Sequence, residues 1–106
     1  MPKFLIMASY TTEGVQGVQR EGGSGRTDAV KKTIEGMGGS LESFYFGFGE
    51  YDAYVIADLP SNEAAAAIAL AVNGAGGATA KTVVLLTPEE VDSAAKQSVD
   101  YRAPGQ

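Results

Sequence analysis

The chain has 106 residues, a net charge of −5 and neither cysteine nor histidine. That length suits one domain with a modest core. The missing thiols and imidazoles exclude disulfides, histidine or thiolate metal sites, and Ser-His-Asp or Cys-His catalysis, while the acidic balance disfavours nucleic-acid backbones.

No apolar run approaches the roughly 20 residues that span a bilayer. The opening Met1-Pro2-Lys3-Phe4 lacks the apolar stretch of a signal peptide, so a cytoplasmic location without membrane attachment is expected. The acids are scattered without EF-hand spacing, so neither a metal nor another cofactor is expected.

In chain order, Phe4-Leu5-Ile6-Met7-Ala8-Ser9-Tyr10 reads as a strand whose first five residues are apolar without alternation, as if buried on both faces. Thr11 or Thr12 can cap a following helix that carries Val15 and Val18. Gly22-Gly23-Ser24-Gly25 should interrupt it, since glycine costs roughly 1 kcal/mol in a helix interior. A break or surface loop is expected there, with the helix restarting at Thr27-Asp28. Val30, Ile34 and Met37 then face the core, and Gly38-Gly39 ends the helix.

Ser40 to Phe46 and Tyr51 to Leu59 are rich in aromatic and β-branched residues and read as a hairpin. The turn between them contains Gly47 and Gly49, which suit positive φ, and Pro60 closes the second strand. Ser61 caps an alanine-rich helix through Val72, ended by Asn73-Gly74-Ala75-Gly76-Gly77. Thr79 to Leu86 is a fourth strand. Thr87-Pro88-Glu89-Glu90-Val91 has the cap and first-turn proline of a third helix. Residues 1–97 are expected to form the domain and 98–106 a flexible tail.

The order β-α-β-β-α-β plus a C-terminal helix is the ferredoxin-like, split-βαβ arrangement of an α+β sandwich. Two helices cover one face of such a sheet. Alternation sends Phe4, Ile6 and Ala8 one way and Leu5 and Met7 the other, and the third and fourth strands are likewise apolar on both parities. Each large aliphatic side chain left exposed forfeits about 1.5–3 kcal/mol. A symmetric partner would cover the second face, so a homodimer or higher homo-oligomer is expected. The alternative is that the third helix folds over that face within one chain.

Gly49-Glu50-Tyr51-Asp52, the apolar strand after it, Asp58-Leu59-Pro60, the alanine-rich helix and the Lys81-Thr82 strand together resemble the GYD-domain family. Met37-Gly38-Gly39, Leu41 to Tyr45 and Glu63 to Leu70 add to the resemblance, which covers most of residues 2 to 90. The departures are Gly22 to Gly25 and the stretch after Lys96. The resemblance implies a ferredoxin-like fold with sheet faces paired in a dimeric α/β barrel. It implies no particular activity, since relatives by fold include cofactor-free monooxygenases, isomerases and ligand-sensing domains.

Candidate chemistry gathers near the hairpin. On a strand Glu50 and Asp52 would share a face and, sheltered together, suit acid–base work, with Tyr51 nearby; the plainer reading is a solvated hairpin end. Tyr10, Thr11, Tyr51, Asp52 and Tyr54 are candidate polar anchors for a small apolar ligand, set against simple capping for Thr11 and packing for the tyrosines. Arg20 and Arg26 flank the glycines and could hold an anion if that loop closes. The glycines themselves are no phosphate loop, because no Gly-Lys-Ser/Thr follows. Lys81 would be a Schiff-base lysine only if desolvated. Two functions remain open: a non-catalytic small-molecule-binding or assembly domain, and a cofactor-independent isomerase or oxygenase acting on an apolar or aromatic metabolite.

Overall fold

A computed structural model describes all residues from Met1 to Gln106. The strands are β1 (Lys3–Tyr10), β2 (Ser40–Phe46), β3 (Ala53–Asp58) and β4 (Ala78–Leu85), and the helices are α1 (Thr12–Gly36), α2 (Asn62–Ala75) and α3 (Pro88–Ala95). The strands form one antiparallel sheet in the order β2-β3-β1-β4. Both central strands are joined to their flanking neighbours across the ladder, as the ferredoxin-like fold requires. No helix is long and apolar enough to cross a membrane.

The helix starts follow local chemistry. Thr11, Ser61 and Thr87 each accept a backbone N–H with their side chain: from Gly14, Ala64 and Glu90 respectively. At α3 the bond is reciprocal, for Glu90 accepts the Thr87 N–H at 2.9 Å. Such caps satisfy orphan donors and are each worth about 1 kcal/mol. Gly76, in the left-handed region at φ 84°, ends α2.

Three local expectations are corrected. The expected break in the glycine stretch is present, but it is a kink at Gly22 alone, at φ 77° and ψ 165°, joining two helical segments; helix resumes at once and runs to Gly36, with no loop and no later restart at Thr27. Helix on both sides absorbs the cost of the other glycines, and the Thr27 hydroxyl donates back to the Gly23 carbonyl at 2.9 Å. In the hairpin loop Phe48, not Gly47 or Gly49, takes positive φ, at 53°. Gly47 serves instead by lacking a Cβ, which would stand 3.0 Å from the Tyr54 ring. Met37 is the α1 C-cap and faces outward rather than into the core.

The core lies between the sheet and the two long helices. Phe4, Ile34 and Leu59 are its largest fully buried side chains, joined by Ile6, Val55, Ala57, Ala64, Ala65 and Ile68. The small alanines of α2 let that helix lie close to the sheet. Leu5, Met7, Tyr54 and Ile56 point to the other face and are only half-buried, so β1 is not buried on both faces. At one end of this open face the Lys3 ammonium donates to Glu42 at 2.6 Å and Asp58 at 3.1 Å, linking three strands. Glu42 sits at a β-bulge where the β2–β3 register shifts between Leu41 and Ser43.

The third helix does not cover the open face. Every residue of α3 is exposed, and the chain beyond it forms no helix or strand. The molecule is accordingly long, 55 × 33 × 22 Å with a radius of gyration of 16.7 Å. A compact chain of this size would have about 13 Å.

At Gly39 the chain passes close to itself: a Cβ there would fall on the Asp58 carbonyl oxygen and against Leu59. Gly39→Ala is expected to cost about 1–3 kcal/mol in urea denaturation, the usual range for overpacking. Gly36→Ala, where nothing lies within 4 Å, is the control and is expected to be neutral or to stabilise by about 0.4–1 kcal/mol.

Candidate functional site

The register places three alanines side by side across the helix-covered face. Ala8 of β1 pairs with Ala53 of β3 on one side and with Ala80 of β4 on the other. This row stands lower than the Phe4 and Ile6 rows beside it. Between it and the helices lies an apolar cavity of about 110 Å³, bounded by Ile6, Val30, Ile34, Phe44, Ile68 and Val72. It continues outward into a wider cleft of about 330 Å³ between α1 and α2, which reaches Gly14, Gly17, Glu21 and Ala75. Tyr10, Arg26 and Thr33 border both parts and therefore stand at the neck.

Tyr10 is the last residue of β1 and shares the parity of Phe4, Ile6 and Ala8. Burial raises its phenol above the ordinary 10.0; the Arg26 charge pulls it back, while Asp52 and Glu21 push it up. The phenol is thus protonated at neutral pH. Arg26 lies one turn beyond the Gly22 kink and approaches Glu21 at 3.6 Å. Thr33 donates its hydroxyl to the Ala29 carbonyl at 3.2 Å.

The hairpin residues have other work. The Asp52 carboxylate accepts the Tyr10 N–H at 2.8 Å, and the Asp52 N–H donates to the Ala8 carbonyl, also at 2.8 Å. Asp52 therefore holds the end of β1 and, through it, the Tyr10 ring. Thr11 caps α1, and its hydroxyl also reaches the Gly76 and Gly77 carbonyls, tying the α1 start to the α2–β4 turn. Glu50 and Asp52 lie in the loop between β2 and β3, not in a strand, so two-residue alternation does not bring them onto one face.

Tyr51 and Tyr54 meet edge to face, with centroids 6.1 Å apart, and the Lys81 ammonium stands 5.9 Å from the Tyr51 ring. Tyr54 belongs to the open sheet face, opposite Met7 and Tyr45. Tyr51 and Glu50 border a wide hollow of about 550 Å³ with Ser9, Thr79 and Lys81. Although larger than the alanine-floored cavity, it is open and lined mostly by polar residues, and encloses a ligand less. Exposed Lys81 is not desolvated and lacks the setting of a Schiff-base lysine. No three acidic side chains gather to hold a metal.

Of the residues singled out from sequence, Tyr10 borders the helix-side cleft, Asp52 and Thr11 brace it, and Tyr51, Glu50 and Tyr54 lie elsewhere. Arg26 reaches it from the helical segment that follows the Gly22 kink rather than from a closing loop. Val30, Thr33 and Val72 were not foreseen there; the spacing Arg26, Val30, Thr33 marks one helix face once α1 is read through its glycines.

The element order, the antiparallel sheet and the helix-side cleft define a ferredoxin-like α+β domain with one sheet face covered. The sequence matches the GYD domain over residues 4–95, and the chain belongs to that family. No curated protein and no solved structure matches it.

Asp52→Ala removes a charged acceptor from a half-buried N–H and is expected to cost about 1–3 kcal/mol of stability. Unfolding free energy is also expected to fall as pH rises past 10.0. There the Tyr10 phenol ionises more readily in the unfolded chain than in the folded one. Lys3, raised above 10.5 by its bonds to Glu42 and then Asp58, acts in the same direction: its stabilisation is complete below 10.5 and is lost above. Denaturation between about pH 8 and 11 checks this, and Tyr10→Phe should flatten the slope.

Proposed function

We propose that this GYD domain is a non-catalytic small-molecule-binding domain that works as a homodimer. The observation that carries the binding reading is the alanine-floored cavity opening between α1 and α2. Its depth is lined by aliphatic and aromatic side chains, with polar groups only at the neck, the usual composition of a ligand pocket. No carboxylate borders the inner part, and Asp52 is committed to the Tyr10 N–H, so the acid–base set an isomerase would need is not assembled there. The expected setting is the cytoplasm.

The assembly reading rests on the open sheet face. Leu5, Met7, Tyr45, Tyr54, Ile56 and Val83 share it, and α3 leaves it bare. A two-fold partner presenting the same face would pair the two sheets as a dimeric α/β barrel and gain about 1.5–3 kcal/mol per large aliphatic side chain buried.

Native mass spectrometry of the purified chain tests both readings. A dimer is expected, carrying a small-molecule mass when the ligand survives purification. Ile56→Asp, which puts a charge in the middle of the open face, should give monomers with an unchanged fold by circular dichroism. A wild-type monomer would overturn the assembly reading. A purified protein that turns over a substrate, and loses this in Asp52→Asn without unfolding, would overturn the non-catalytic one. Ala8→Leu should fill the cavity and abolish retention of the small molecule while the dimer persists.

A further inference from the structure

We propose that the cleft takes a small monocarboxylic acid, its apolar tail seated on the alanine row and its carboxylate held at the neck by Arg26 and Tyr10. This rests on the binding reading above and names the ligand class. The inner cavity of about 110 Å³ is somewhat smaller than the roughly 150 Å³ engineered cavity that accepts the six carbons of benzene, so the tail has about four or five carbons.

The head group follows from what the neck leaves without a hydrogen bond. Arg26 is the one cation bordering either part of the cleft. Its guanidinium makes no hydrogen bond within the chain; its nearest acid, Glu21, stands at 3.6 Å, too far to bond. The planar fork of a guanidinium matches the two oxygens of a carboxylate. The Tyr10 hydroxyl likewise has no partner in the chain and is reached by solvent, so it is a second donor at the same place. As a phenol, raised further by burial, it stays a protonated donor through the neutral range. Thr33 is not a third, because its proton already goes to Ala29.

Glu21 sets the charge of the ligand. It borders the outer cleft and repels a second negative charge, so the neck suits a monoanion and not a phosphate dianion. A single, half-exposed arginine would also be a poor match for a dianion. The ligand carboxylate replaces a loose ion pair with a bidentate one, and Glu21 turns toward water.

The test titrates the full-length, ¹⁵N-labelled chain with sodium hexanoate, 1-hexanol and hexyl phosphate. It follows the amide signals of Val30, Val72 and Ala80, which border the inner cavity. Hexanoate is expected to bind about tenfold or more tighter than hexanol, the scale of one charge-assisted contact. Arg26→Gln should erase that preference and leave hexanol binding unchanged, and Arg26→Lys should fall between. Glu21→Gln should tighten hexanoate alone, and Arg20→Gln should change nothing. Thermal melts matching wild type show that each variant is folded. Equal binding of hexanoate and hexanol overturns the acid preference while the binding reading stands. Tighter binding of hexyl phosphate overturns the monoanion assignment. Shifts confined to Leu5 and Ile56 place the ligand on the open face and overturn the site. No response to any probe overturns the inference together with the binding reading beneath it.

Discussion

The height of side chains on the sheet decides where helices can touch it, and this steric constraint organises the domain. At one end Phe4, Ile34 and Leu59 fill the space between the layers almost completely. Toward the other end Ala53, Ala8 and Ala80 stand in one row and fill little of it. Alanines on α2 bring that helix down beside the filled end, so the low row is not compensated from above. Close packing elsewhere makes an unfilled strip of this kind persist, since the surrounding core cannot collapse into it without strain.

Around that strip the backbone is fastened more firmly than the side chains are. Asp52 holds Tyr10 through its main chain, Thr11 and Gly77 tie the first crossover to the second, and Asn73 accepts the Ala80 N–H at 2.6 Å. These bonds fix the floor and one wall of the cleft without entering it. Of the polar groups that do face it, Tyr10 has no hydrogen-bond partner in the chain and Arg26 keeps only its loose ion pair with Glu21. Support comes from the backbone and chemistry from the neck, an arrangement that preorganises a pocket at little cost to its occupancy.

The element order was legible in the sequence because each boundary carries its own chemistry: a hydroxyl before each helix, glycine after the first two, proline at the first turn of the third. The two-sided apolar pattern of β1, β3 and β4 was legible for the same local reason. What escaped sequence reading depended on contacts between distant residues. The break at Gly22 was foreseen, but not that helix resumes at once through Gly23 and Gly25. Phe48 takes the left-handed turn position, while Gly47 makes room for the Tyr54 ring. The cavity floor was invisible because its three alanines come from separate strands and meet only through register. With helix expected to restart only at Thr27, Arg26 could not be aligned with Val30 and Thr33.

The pairing of Lys3 with Leu85 has a topological consequence. It sets the start of β1 beside the exit of β4, within about 5 Å across the ladder. The body formed by the sheet, α1 and α2 therefore almost closes into a ring, and α3 leaves from the place where the ring would join. A short peptide link from Leu85 to Lys3, with the chain opened instead at the exposed Gly49, would keep every strand partner and both crossovers. The architecture is a property of which segments adjoin, and the order in which the ribosome delivers them is one choice among several.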